Sequence, residues 1–312
     1  MHKIEIYEKG VSREFPENID EMTGDQFLYF IDRVLQYLDG KISLSQFKVS
    51  LVQRFLNIRY DFRYATLSVA EKEEIQGNIL RIGELCNSYF EEIEQDGKKV
   101  KTFKLTSTRN FVPVIWCGKR KYYGPEDALQ NITFCEYRTA HSYFASYVSS
   151  KDEMDLCRMI AVLYRPRKPF LFLRKLFPGF DGQGRIPFTS KSNPIHLESR
   201  ARRILRLPVA IRYSIFLFFS GSERYLETGK PVIDGKEIDF SILYEGSDHD
   251  PDSPDIGLTG VLFALAESKV FGSIKETDDQ NLYDVMVRLY QVVKQSKALE
   301  AKFKNNGSGS NI

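Results

Sequence analysis

No apolar run in the chain approaches the roughly 18–20 residues that a helix needs to cross a bilayer. Even inside the apolar stretch 209–219 the unbroken run Ile215 to Phe219 is only five long. The opening "MHKIEIYEKG" has no apolar core of the signal-peptide kind, so a cytoplasmic location is expected. Cysteine is scarce: Cys86, Cys117, Cys135 and Cys157 are scattered, with no CxxC pair and no zinc-like spacing. Such cysteines are expected to be reduced and buried. The four histidines, His2, His141, His196 and His249, are equally dispersed. No two stand at i, i+4, which excludes a helical HExxH metal site. No serine sits in a GxSxG turn and no glycine loop ends in GK[ST]. These absences remove the common signatures of metalloenzymes, nucleophilic hydrolases and P-loop proteins. No metal, cofactor or catalytic residue is expected.

What is present is material for a core. The 312 residues are 42% hydrophobic and 13% aromatic, with 23 Phe and 17 Tyr, too apolar for a disordered chain. Net charge is only +2, yet it is unevenly spread. Arg158 to Arg212 holds 13 Lys/Arg against 2 Asp/Glu, a balance of +11, and Glu223 to Asp255 holds 10 Asp/Glu against 3 Lys/Arg, a balance of −7. Such blocks either pair with each other or meet separate partners.

Hydrophobic periodicity predicts a mainly α protein with a few short strands. "HKIEIYE" alternates as a strand. Thr23 with Gln26, and Ser68 with Glu71, have the spacing of capping boxes. The first opens a helix with Phe27, Phe30, Ile31, Val34, Leu35 and Leu38 on one face, closed by Gly40. A second helix carries Phe47, Leu51, Val52 and Phe55. The third is expected to run from Ser68 through the carboxylates Glu91, Glu92 and Glu94. A strand from Lys98 to Leu105, a hairpin around Gly118 and a helix from Phe134 to Val148 follow. The next helix is expected to be capped by Ser150, with Pro166 just past its end. Five Pro and three Gly in 166–195 predict an irregular connection, and "PIHLESRARRILRLPVAIRYSIFLFFSGSERYLET" reads as helical with a break near Pro208. Helices Leu258 to Ser268 and Asn281 to about Lys297 complete the set. Gly272 permits a turn between them, and Asp278 or Asp279 is expected to cap the last helix. The expected division is an N-terminal strand plus helical domain (1–97), a hairpin and helix pair (98–165), a basic loop with a C-terminal helical domain (166–304), and a flexible tail (305–312).

Three motifs invite a functional reading. Asp248, Asp250 and Asp252 alternate as in an EF-hand loop, but the sixth position is Ser253 and the twelfth Thr259, so a solvated acidic loop is expected. "GFDGQGR", Gly179 to Arg185, lies between prolines and lacks the strand and helix of a phosphate loop. "RARRILR" is the strongest anomaly. It places Arg200, Arg203 and Arg206 along one helical stripe with Arg202 pointing elsewhere, after a loop containing Phe170, Phe172, Phe177 and Phe180. Cations mixed with aromatics suit a nucleic acid; they equally suit an acidic protein partner. On the last helix Leu282, Val285, Met286, Leu289 and Val293 form an apolar face that serves either the core or a partner groove.

Three segments carry a resemblance: "FPENIDEMTGDQFLYFIDRVL", "KYYGPEDALQNITFCEYRTAHSYFASYVSSKDEMDLCRMIAVLYRP" and "LTGVLFALAESKVFGSIKETDDQNLYDVMVRLY". Together, about a third of the chain, they resemble tail-region proteins of phages and prophages of Bacteroidota-type hosts. The last is also similar to small tail assembly chaperones. The chain is longer than most of these, and the basic block is not part of their pattern. The resemblance implies a non-enzymatic tail assembly protein in the cytoplasm of a bacterial host. Such a protein would bind a helical tail partner such as the tape-measure protein, with Leu282, Met286, Leu289 and Tyr290 as expected contacts. The alternatives are a structural component of the virion or tail, and a nucleic-acid-binding module using Arg200, Arg203 and Arg206.

Overall fold

A computed structural model describes residues 1–6, 11–60, 62–95, 97–171, 176, 184–189, 191–233, 235–243, 257–267 and 270–307. Among them are eleven α-helices and four two-stranded antiparallel sheets, so the protein is mainly α. No helix among the described residues is long and apolar enough to cross a membrane. The chain forms two compact units: Met1–Phe111 with Pro208–Leu217, and Val112–Leu207 with Phe218–Ile312. The boundary expected at 97/98 instead falls on the turn of a hairpin, where Gly97 takes a φ of +72° between paired strands.

In the first unit, β1 (His2–Ile6) pairs antiparallel with β2 (Val11–Phe15), His2 opposite Phe15. Helix α1 (Gly24–Leu38) starts from the Thr23–Gln26 capping box, and α2 (Leu44–Phe55) from a second box made by Ser43 and Gln46. The short α3 (Phe62–Thr66) precedes α4 (Val69–Gly83), which opens on the Ser68–Glu71 box. Each box satisfies backbone donors that a helix start would otherwise leave open. The third helix is shorter than expected. After Gly83 the chain tightens into a 3-10 turn, Glu84–Tyr89, and then extends as β3 (Phe90–Gln95), paired with β4 (Lys98–Phe103). Phe90 and Phe103 lie opposite each other, both buried. That aromatic cross-strand pair draws into a strand residues whose carboxylates had read as a helix end. Glu91, Glu92 and Glu94 are exposed along β3. The core is aromatic: Phe30 meets Phe47, Tyr89 and Phe103 edge to face at 5.9, 5.3 and 6.2 Å. Phe27 stacks on Phe111 at 4.0 Å. Gly24 is needed at the start of α1, because a Cβ there would stand 2.8 Å from the Phe111 carbonyl oxygen.

In the second unit, β5 (Val114–Cys117) and β6 (Arg120–Tyr123) turn at Gly118, with φ +63°. Helix α5 (Phe134–Ser150) carries the Thr133–Glu136 capping box. Ser150 ends α5 rather than capping its successor. Asp152 caps α6 (Glu153–Leu163) by accepting from the Met154 amide, since Lys151 in the left-handed region has already turned the chain. Leu156, Cys157 and every residue from Met159 to Leu163 are buried, making α6 the spine of this unit. Asn193 and Pro194 start α7 (Pro194–Ile204), and a break at Pro208 precedes α8 (Val209–Thr228), which contributes residues to both units. The two-residue strands β7 (Val232–Ile233) and β8 (Lys236–Glu237) follow, then α9 (Gly257–Glu267). An unexpected short helix, α10 (Ile274–Asp278), comes next, capped by Ser273 and Glu276. It absorbs Asp278, so the last helix, α11 (Leu282–Gly307), is capped by Asn281, whose side chain accepts from the Tyr283 amide. Helix α11 also extends through 305–307, part of the expected flexible tail, while 308–312 lie outside the described residues.

One carboxylate organises this unit. Glu136 is fully buried and takes a bidentate contact from Arg185, Nη1 to Oε1 at 2.6 Å and Nη2 to Oε2 at 2.8 Å, with Arg185 2% exposed. Glu136 also accepts from the Phe188 and Thr133 amides. Arg185 donates further to the carbonyls of Leu163 and Asn131. Short bridges carry the pairing outward, with Arg167 opposite Arg185 and Tyr123 opposite Arg165. Because removing one partner strands the other charge in the core, Arg185→Met should cost about 3–5 kcal/mol, whereas Arg185→Met with Glu136→Met should recover part of that loss. Urea unfolding of the three proteins checks it; equal loss in the single and double variants would contradict the account.

Candidate functional site

The buried arginines and carboxylates described in the second unit are engaged in ion pairs or in hydrogen bonds to backbone carbonyls. Arg185, the arginine of the glycine-rich stretch, is held by Glu136; residues 179–183 of that stretch lie outside the described residues. Asp278, 2% exposed, takes two bonds from Arg138. Arg165 is buried with its Nε bonded to the Ile186 carbonyl, and burial together with nearby Arg200 lowers its pKa to about 10. His141 Nδ1 lies 2.7 Å from Glu223, whose second oxygen, Oε1, is buried without a hydrogen-bond partner among the described residues. The Glu223 contact raises the His141 pKa above its usual value.

The expected arginine stripe divides by burial. Arg200 is 8% exposed, donates to the Ala161 carbonyl at 2.7 Å and lies over the Tyr122 ring, so it belongs to the core and not to a surface patch. Arg203 is half-buried, near the Tyr122 hydroxyl. Arg206 is exposed, and so is Arg202, which had been expected to point away from the stripe. The helix phase is set by Leu197, Ala201 and Ile204, which face the core. This rotation puts Arg202 and Arg206 in one solvent row with Ile195 and Ser199.

That row lines a groove of about 700 Å³ formed by α7 residues Ile195, Leu197, Glu198, Arg202 and Arg203, by Arg206 in the turn after α7, and by Tyr143 of α5. Ile195 is 75% exposed. Glu198 is the groove's one carboxylate, and Arg158, bonded to it at 3.0 Å and to Asp155 at 2.7 Å, holds it below the usual carboxylate range. The groove lining therefore mixes apolar surface, from Ile195, Leu197 and Tyr143, with the cations Arg202, Arg203 and Arg206. Within the described residues, Arg158, Arg185 and Arg202 form ion pairs with Asp155, Glu136 and Glu198, and these carboxylates all lie outside the acidic 223–255 block. Residues 244–256, which include the EF-hand-like aspartates, lie outside the described residues, as do Phe172, Phe177 and Phe180; Phe170 is 70% exposed.

The expected contacts on α11 fare differently. Leu282 is fully buried and Met286 is 4% exposed. Both pack inside their own unit, because the first turn of α11 is tied to the segment just before α5 through Leu282 N to Ile132 O and Tyr283 Oη to Ala128 O. They are core residues, not partner contacts. Leu289 and Tyr290 are half-buried.

All four cysteines are buried thiols, none in a disulfide. Burial pushes the Cys86 and Cys135 thiols up to about 12 and raises Cys117 as well, which leaves little thiolate for nucleophilic chemistry. Among the described residues no cluster of three His, Cys, Asp or Glu could hold a metal ion. The chain matches no family, curated protein or solved structure in comparisons with known proteins.

Two outcomes follow. A disulfide reagent such as DTNB should leave the native thiols nearly unlabelled and titrate all four in denaturant; fast labelling of native protein would contradict their burial. The raised His141 pKa contributes stability below the usual histidine value of about 6.5, and that contribution is lost as pH rises through the folded-state value. Urea unfolding should therefore show a larger deficit for His141→Gln at about pH 6 than at about pH 9, and a deficit that grows with pH would contradict the pairing.

Proposed function

We propose that the chain is a non-catalytic assembly protein that holds a helical protein partner in the groove beside α7. The observation that carries this reading is Ile195, 75% exposed beside two exposed arginines, Arg202 and Arg206, in a groove that Leu197 and Tyr143 also line. An acidic amphipathic helix fits such a groove: its apolar anchors at i, i+3 and i+4 meet Ile195 and Tyr143, and its carboxylates meet the arginines. The engagement of Glu136 and Asp278 in structural pairs supports a non-catalytic role. The sequence resemblance to phage tail-region proteins supports placing the partner among tail proteins, the tape-measure protein first, and the action in the host cytoplasm. The partner surface thereby moves from α11 to α7. The same arginines would serve nucleic acid less well, since Arg200 is withdrawn into the core.

The test is affinity purification of the tagged chain from its producing cell, with and without nuclease, followed by direct binding of an acidic helical segment from the captured protein. Capture should survive nuclease. Ile195→Asp, and Arg202→Glu with Arg206→Glu, should abolish binding without changing the far-UV circular dichroism. Met286→Asp, by contrast, should unfold the protein. A partner lost with nuclease, or one that binds the groove variants unchanged, would sink the reading. Presence in purified particles would assign the chain to the virion rather than to a transient chaperone.

A further inference from the structure

The β5–β6 hairpin presents a second surface that the groove does not use. The segment 113–123, "PVIWCGKRKYY", has three cations and no carboxylate. Its register puts Trp116 opposite Lys121, and Tyr123 lies two residues along from Lys121 on the same face. On the other face Ile115, Cys117 and Tyr122 are buried, and Arg120, opposite Cys117 at the turn, is exposed. Trp116, the only tryptophan in the chain, is 59% exposed. The Lys121 ammonium sits between two rings, 5.1 Å from the Trp116 centroid and 5.5 Å from Tyr123. The Arg167 guanidinium lies 5.9 Å from the Tyr123 ring. Lys119 and Arg120 are exposed at the turn. None of these four cations has an ion-pair partner among the described residues.

The geometry points to this hairpin face as a docking site for single-stranded nucleic acid, with bases stacking on Trp116 and Tyr123 and with Lys119, Arg120, Lys121 and Arg167 following the phosphates. Charge complementarity selects a polyanion, and the exposed rings select one that brings flat, unstacked π faces. An acidic polypeptide would answer the cations but leave the indole without a partner. A duplex keeps its bases stacked inside and offers only phosphates. A cross-strand Trp–Lys contact also steadies a hairpin, and that role alone predicts no ligand.

The chain's single tryptophan reports directly. Titration of the full protein with a short oligothymidylate should quench Trp116 emission and saturate. With four phosphate contacts on a single strand, affinity should fall about 50-fold between 50 and 200 mM salt. By anisotropy of a labelled oligothymidylate, Trp116→Ala should bind at least ten-fold more weakly, and Lys119→Glu with Arg120→Glu should do the same from the turn, where folding is not at stake. Ile195→Asp should bind the oligomer normally, which separates this surface from the α7 groove. Absence of quenching, equal binding of duplex or of polyglutamate, or unchanged affinity in both hairpin variants would each overturn the assignment.

Discussion

The second unit depends on the charge of Glu136. A carboxylate with no exposed surface is tolerable only if its lone pairs are occupied, and here Arg185, the Phe188 amide and the Thr133 amide occupy them. These partners come from two pieces of chain. Thr133 begins α5, Phe188 and Arg185 lie in the connection after α6, and Arg185 reaches on to the Leu163 carbonyl at the end of α6. A single buried charge thus fixes where a loop of low regularity meets two helices. The pairing of Arg167 with Arg185 and of Tyr123 with Arg165 carries the same constraint to the β5–β6 hairpin.

This constraint divides the basic block by function. Arg165, Arg185 and Arg200 point inward and bond carbonyls or Glu136. Arg202, Arg206 and Arg167 remain at the surface. What reads in sequence as one patch of positive charge is therefore two populations. Buried arginines cross-link backbone carbonyls that would otherwise lack donors. Exposed ones, joined by the cations of the hairpin, give the unit surfaces suited to acidic or polyanionic partners. The α7 groove combines such charge with the apolar side chains of Ile195 and Leu197, and the hairpin combines it with aromatic faces, so the two surfaces favour different ligands.

Local signals were legible. Thr23 with Gln26 and Ser68 with Glu71 form capping boxes at the spacing they show in sequence, and Gly118 turns its hairpin. The break at Pro208 and the turn at Gly272 also lie where the residues place them. Other elements were not legible. Phe90–Gln95 is acidic enough to pass for a helix end, and only its pairing with β4 makes it a strand. Asn281, not an aspartate, caps α11 because Asp278 is drawn into α10 and bonded to Arg138. The apolar row on α11 had two plausible destinations, and periodicity alone cannot choose between a core and a partner.

The sequence by itself determined a mainly α protein, its helix starts, and its store of aromatic side chains, because caps, periodicity and turns act over three or four residues. Only the tertiary structure decided which charges lie inside. Arg185 meets Glu136 across 49 positions and Arg200 meets Ala161 across 39. Whether an arginine bonds a buried carbonyl or faces water depends on such distant contacts, and so does the exposure of Ile195 and Trp116, on which the candidate surfaces rest.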